Sequence, residues 1–136
     1  DNPYFQERTD LIKELKAKWF GKENTNEIRG MDLNELYSKS RIVIGDSVFS
    51  PNYWSNRVVE TLGRGGFLIH KEVEGIKEAY PYLVTYKNRE ELDALIQHYS
   101  TFEEQRRKII KKNFEWVREH YTMDKKCKEL LDYVKI

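Results

Sequence analysis

Few residues in this chain are placed to do chemistry. The histidines, His70, His98 and His120, stand far apart, and with the single Cys127 they make no zinc-ligand spacing. No serine sits in a nucleophile-elbow pattern. The richest stretch is "NRVVETLGRGGFLIH", residues 56–70, where Gly63, Gly65 and Gly66 separate a helix-like run from strand formers. A phosphate-gripping loop runs strand, glycines, helix, because the anion sits on free N–H groups at a helix N-terminus. Here the order is helix, glycines, strand. A helix ends in exposed carbonyls, which repel phosphate, so these glycines are expected to cap the helix and allow a close-packed turn.

The phosphate-competent end of that helix is its beginning. "SPNYWSNR", residues 50–57, leads into it from the loop after the predicted strand "RIVIG". Open parallel sheets bind ligands beyond the C-terminal ends of their strands, so this loop lies where a ligand is expected. Ser55 or Asn56 can cap the helix, Arg57 adds a full positive charge, and Trp54 can stack on a base or a sugar. Capping alone also explains Ser55 and Asn56, and on these residues by themselves it is the favoured reading.

The remaining candidates have plainer readings. His70 ends a predicted strand and is expected to be packed or solvated rather than a ligand contact. Cys127 falls on the apolar side of its helix and is expected to be a small core residue. In "RRKIIKK", residues 106–112, five cations flank two isoleucines. Contact with an anionic membrane surface or with nucleic acid is one reading of that run. Glu103, Glu104, Glu115 and Glu119 balance its charge, which makes a solvated helix face the favoured one.

Several elements must position these residues. Leu11, Ile12, Leu15 and Trp19 predict a helix over 6–17 that runs into the apolar "KWF". Asp32 and Glu35 form a capping box for a helix over 32–39. Residues 41–45 and 67–70 predict strands, with a helix from about Ser55 between them. Residues 71–82 are expected to be irregular, with Gly75 and Pro81 as breakers, and "LVTY", 83–86, predicts a third strand.

Asn88 with Glu91, and Ser100 with Glu103, are read as caps of two further helices. A last helix over 124–134 is expected to bury Met123, Cys127, Leu130, Leu131 and Val134. Buried strands alternating with helices define an α/β fold: a Rossmann-like three-layer domain with a short parallel sheet, helices on both faces and extra C-terminal helices.

At 136 residues the chain is the size of one domain and can bury a core without disulfides. Its 24 basic and 23 acidic side chains nearly cancel, so global charge gives no case for nucleic acid. One cysteine suits a reducing compartment, and with no signal-peptide pattern a cytoplasmic location is expected.

The order "YSKSRIVIGDS", "NRVVETLGRGGFLIH", "EGIKEAYP", "LVTYKNREELDALIQHYS" and "NFEWVREHYTMDKKCKELLDYV", from Tyr37 to Val134, resembles the C-terminal half of a GT-B glycosyltransferase. It is closest to the group-1-like branch that includes spore-coat maturation proteins. The resemblance implies a domain that binds a nucleotide-diphosphate sugar, such as a UDP- or GDP-sugar, without a metal or other cofactor. Glu60 matches the glutamate that hydrogen-bonds the donor's ribose, a task suited to a carboxylate because it accepts from two vicinal hydroxyls. Ser55, Asn56 and Arg57 fall near the donor diphosphate. Asn52, Trp54, Glu74 and Gly75 fall where the donor sugar or base is bordered.

Two departures accompany the resemblance. Asn52 stands where many members carry a second glutamate, and it cannot act as a charged acceptor. The first strand of the domain and the N-terminal acceptor domain have no counterpart in these residues. Residues 1–136 are therefore expected to form one donor-binding domain, a fragment of a larger enzyme and inactive alone. A non-catalytic Rossmann-like binding or interaction module is the alternative.

Overall fold

The computed structural model describes residues 3–18, 30–47 and 50–134, with side chains from residue 6 onward. The chain divides into two compact units, Asp1–Leu36 and Tyr37–Ile136. In the first, α1 spans Pro3–Leu15. It ends where Lys16 takes a left-handed backbone (φ 52°) and the Ala17 N–H reaches back to the Ile12 carbonyl. This helix matches the predicted one in place, while Trp19 and Phe20 of "KWF" lie outside the described residues.

The next helix, α2, covers Gly30–Lys39 and carries the chain into the second unit. It starts two residues before the predicted cap. Asp32 therefore sits inside its first turn, where a carboxylate still favours the positive end of the helix dipole.

The second unit alternates strand and helix: β1 (Val43–Gly45), α3 (Arg57–Gly63), β2 (Leu68–Lys71), α4 (Ile76–Ala79) and β3 (Val84–Tyr86). The three strands form one parallel sheet in the order β1-β2-β3. Val43 stands beside Leu68 and Gly45 beside His70, while Ile69 stands beside Val84 and Lys71 beside Tyr86. Leu68 and Ile69 are consecutive, point to opposite faces and are both buried, so the central strand is covered on both sides. The result is the Rossmann-like α/β domain expected, its parallel sheet flanked by helices.

The core gathers Val58 and Leu62 from α3, Leu68, Val73, Ile76, Tyr80 and Leu83 around the strands, and Val117 from the C-terminal helices. The short α4 lies inside the segment predicted to be irregular. Its single turn is too brief for a 3.6-residue period to register, yet Ile76 is fully buried.

The glycine turn forms as expected. Gly65 takes φ 77° after α3, its N–H reaches the Leu62 carbonyl, and the Gly66 N–H reaches the Thr61 carbonyl at 2.9 Å. These bonds satisfy the last carbonyls of the helix.

Three helices follow: α5 (Arg89–Thr101), α6 (Glu103–His120) and α7 (Met123–Val134). Asn88 caps α5, its Oδ1 accepting from the Glu91 N–H at 2.9 Å. The Glu91 carboxylate reaches back one residue further than a capping box requires, to the Lys87 N–H. Ser100 is no cap, because α5 runs on through it to Thr101. The break falls at Phe102 (φ −98°, ψ 79°), which starts α6 without a side-chain cap.

The larger correction concerns α7. Met123 is 78% exposed, Leu130 63% and Val134 64%, and Cys127 and Leu131 are exposed too. Its apolar side is amphipathic as predicted, but no described residue buries it. Periodicity identifies which face of a helix is apolar, not whether a neighbour covers it.

Candidate functional site

Several polar groups meet at the C-terminal ends of the strands. Beyond β1, the Asp46 carboxylate accepts from the Ser47 N–H at 2.9 Å and lies 3.9 Å from Lys71 Nζ at the end of β2. At β3, the Tyr86 hydroxyl donates to the Gly45 carbonyl and the Thr85 hydroxyl to Glu72, which also pairs with Lys87. The strand ends are thus tied together by polar rungs. Sequence reasoning passed over Asp46, Ser47 and Lys71. Their position directly after or at the end of a strand was the signal available.

His70 lies within this layer and is 1% exposed, so the packed reading holds. Its Nδ1 lies 2.7 Å from the Lys71 carbonyl, an acceptor, and therefore carries the ring proton. Burial lowers its pKa below the ordinary 6.5. The Lys71 carbonyl and Asp46 act in the opposite sense, and Arg57 adds to the lowering. Arg57 itself stands at the head of α3, the helix that leads from β1 to β2.

The start of α3 is less open than its sequence suggests. Ser55 Oγ accepts from the Arg57 N–H at 3.3 Å, and the Ser55 carbonyl accepts from Val58. Asn56 takes a helical backbone (φ −57°, ψ −16°) and makes no side-chain cap. Ser55 is therefore the capping residue of the two. With the Arg57 N–H already occupied, an anion here would depend chiefly on the Arg57 guanidinium.

One turn further along α3, Glu60 is exposed, with one carboxylate oxygen 3.4 Å from Arg64 Nη1. Arg64 in turn lies over the Tyr37 ring. A surface pair of this kind holds the carboxylate loosely, so it remains free to exchange Arg64 for another partner.

Asn52, Trp54, Glu74 and Gly75 come together as two neighbouring loops. Asn52 adopts a left-handed backbone (φ 56°) and donates its N–H to the Glu74 carbonyl at 2.9 Å. Its Oδ1 occupies the space over Gly75 that a side chain there would need, and Gly75 itself has φ 91°. Trp54 is half-buried against the core and meets Tyr80 edge-on at 6.3 Å. Trp54 is thus chiefly a packing residue, and Asn52 a residue that docks one loop on the other.

Among the described residues, no cluster of His, Cys, Asp or Glu could hold a metal ion, and no helix is long and apolar enough to cross a membrane. Within residues 106–112 of α6, Arg107, Lys108, Lys111 and Lys112 are exposed, and Arg107 is bonded to Glu103 at 2.8 Å.

A short parallel sheet flanked by helices defines the class of Rossmann-like α/β domains. Within that class, the chain belongs to the glycosyl transferase-like family, whose model matches residues 5–132. The match extends the kinship beyond Tyr37 to nearly the whole N-terminal unit. No curated protein and no solved structure matches the chain significantly.

Proposed function

We propose that this chain is the donor-binding portion of a GT-B glycosyltransferase, holding a nucleotide-diphosphate sugar for transfer to an acceptor bound by a separate domain. The observation that carries the reading is the placement of Arg57 and Glu60 one turn apart on α3, a helix that starts beyond the strand ends. Residues at i and i+3 share a helix face. A cation and a carboxylate there suit a ligand that is anionic at its diphosphate and rich in hydroxyls at its ribose.

In this reading Glu60 accepts from the ribose hydroxyls, and Arg57 faces the diphosphate beside Ser55 and Asn56. Asn52, Trp54, Glu74 and Gly75 border the base or sugar. The donor is a UDP- or GDP-sugar and the transfer is of a hexose, with the protein working in the cytoplasm. No metal or other cofactor takes part. A cleft enzyme needs both walls to exclude water and align its acceptor, so the isolated domain binds without turning over.

The competing reading is a non-catalytic binding module on the same scaffold. Asn52 favours it, because its backbone N–H is used on Glu74 and its amide is packed over Gly75.

Titration of the protein and its Glu60→Gln variant with UDP, GDP and ADP, followed by amide shifts, separates the two. The exposed Glu60–Arg64 pair contributes little to folding, so the variant stays folded. Saturable binding of one nucleotide that weakens about tenfold or more in the variant supports the donor site. No binding at millimolar concentration rejects it.

A further inference from the structure

The loop that enters α3, residues 50–57, is anchored on the segment from Glu74 to Tyr80 at two points. Near its start, Asn52 donates to the Glu74 carbonyl and packs over Gly75. Near its end, the Trp54 ring meets the buried Tyr80 ring edge-on at 6.3 Å and 76°. Tyr80 is itself fixed from behind, stacked on Tyr121 with ring centroids 4.9 Å apart and 21° between planes. The same segment is pinned by a shared acceptor: the Ala79 carbonyl receives Trp116 Nε1–H at 2.8 Å and the Tyr121 hydroxyl at 3.0 Å. A row of rings, Trp54, Tyr80 and Tyr121, thus joins this loop to the α6–α7 junction.

Aromatic pairs hold relative orientation as well as burying area, and a ring confined on both sides has few rotamers left. Tyr80 is the member confined on both sides. Its phenol is pushed up to about 12, first by burial, then by Tyr121, with Trp54 hydrogen bonding opposing the rise. The Tyr80 hydroxyl therefore stays protonated at neutral pH.

We propose that Tyr80 is a positioning residue for the donor loop: seated on Tyr121, it fixes Trp54 and so sets where Ser55, Asn56 and Arg57 stand. The inference rests on the donor-site reading for its effect on affinity, but the seating of Trp54 can be read without any ligand. The expected consequence is a donor site whose affinity depends on a ring that touches no donor atom. A small displacement of a phosphate-facing guanidinium is enough to weaken binding several-fold.

The test uses the whole chain labelled with 5-fluorotryptophan, its Trp54 resonance assigned by Trp54→Phe, in wild type, Tyr80→Phe, Tyr80→Leu and Glu60→Gln. Each is titrated with UDP, GDP and ADP. The proposal expects Tyr80→Leu to shift or broaden the Trp54 resonance before any nucleotide is added, and to weaken the nucleotide that binds wild type by about fivefold or more. Tyr80→Phe keeps the stacked ring and loses only the hydroxyl contact with Trp54, so it weakens binding less than Tyr80→Leu, by about threefold at most.

An unchanged Trp54 resonance in Tyr80→Leu, or wild-type affinity in that folded variant, overturns the proposal. If Tyr80→Leu does not fold, Tyr121→Leu removes the far ring of the row and is held to the same two criteria. If wild type binds no nucleotide, the donor reading fails, and the ligand-free Trp54 resonance alone decides whether Tyr80 seats the loop.

Discussion

His70 fills with its imidazole edge the space where a side chain on Gly45 would stand, and the two residues are direct partners in the β1–β2 register. The ring cannot swing aside, because it is buried and its Nδ1–H is committed to the Lys71 carbonyl. Gly45→Ala therefore forces a shift in the sheet itself. We expect it to cost about 1–3 kcal/mol, the usual range for overpacking, as read from urea unfolding midpoints. An unchanged midpoint would show that the ring relaxes freely.

The same buried ring links stability to pH. Its pKa is lowered on folding from the ordinary 6.5, chiefly by burial, so below about pH 6.5 the unfolded chain takes up a proton that the folded one resists. This contribution is complete above the unfolded pKa and is lost as the pH falls toward the folded one, with a limiting slope for one group of about 1.4 kcal/mol per pH unit. The carbonyl of Lys71 and the Asp46 carboxylate temper the loss, and Arg57 sharpens it. Unfolding followed from pH 7.5 to 5.5 should show falling stability, with a shallower slope in His70→Asn. Equal slopes would remove His70 from the account.

At the end of α3 the two glycines are needed for different reasons. Gly65 requires its left-handed backbone, and a Cβ there would meet nothing, so Gly65→Ala should cost about 1 kcal/mol in backbone strain alone. Gly66 has no positive φ, but a Cβ would meet Thr61 Cγ2 at 2.8 Å and the Thr61 and Tyr37 carbonyl oxygens at 3.1 Å. Backbone atoms cannot rotate away. Gly66→Ala should thus be the more damaging of the two, by about 1 kcal/mol or more. A reversed order in thermal midpoints would contradict this division of roles.

Legibility in the sequence followed the length scale of the signal. The strands around Ile44, Ile69 and Thr85 were readable because consecutive apolar or β-branched residues mark buried parallel strands, and the glycine turn because its order excludes a phosphate loop. α4 was not readable, since a single turn has no period. Ser100 was misread as a cap because a serine three residues before a glutamate is common inside helices as well, and only the backbone at Phe102 shows where the chain breaks. In the candidate site, Ser55 could be found as a cap from residue type. Its division of labour with Asn56 could not, because that depends on a backbone angle. Asn52 and Gly75 lie more than twenty positions apart, and no local pattern reveals that one packs over the other.

α7 gives the sharpest test of periodicity against burial. Leu92 in α5 and Leu130 in α7 both lie on the apolar side of an amphipathic helix, but Leu92 is fully buried whereas Leu130 is 63% exposed. Truncating Leu92 leaves a cavity in the packed layer beside β3, so Leu92→Ala should cost about 2–5 kcal/mol. Leu130→Ala removes surface that water already reaches, and alanine is at least as good a helix former, so its effect should stay within about 0.5 kcal/mol. Paired denaturant titrations check both values. A cost above about 1 kcal/mol for Leu130→Ala would mean that this face of α7 is covered in solution, because an exposed leucine has no cavity to leave.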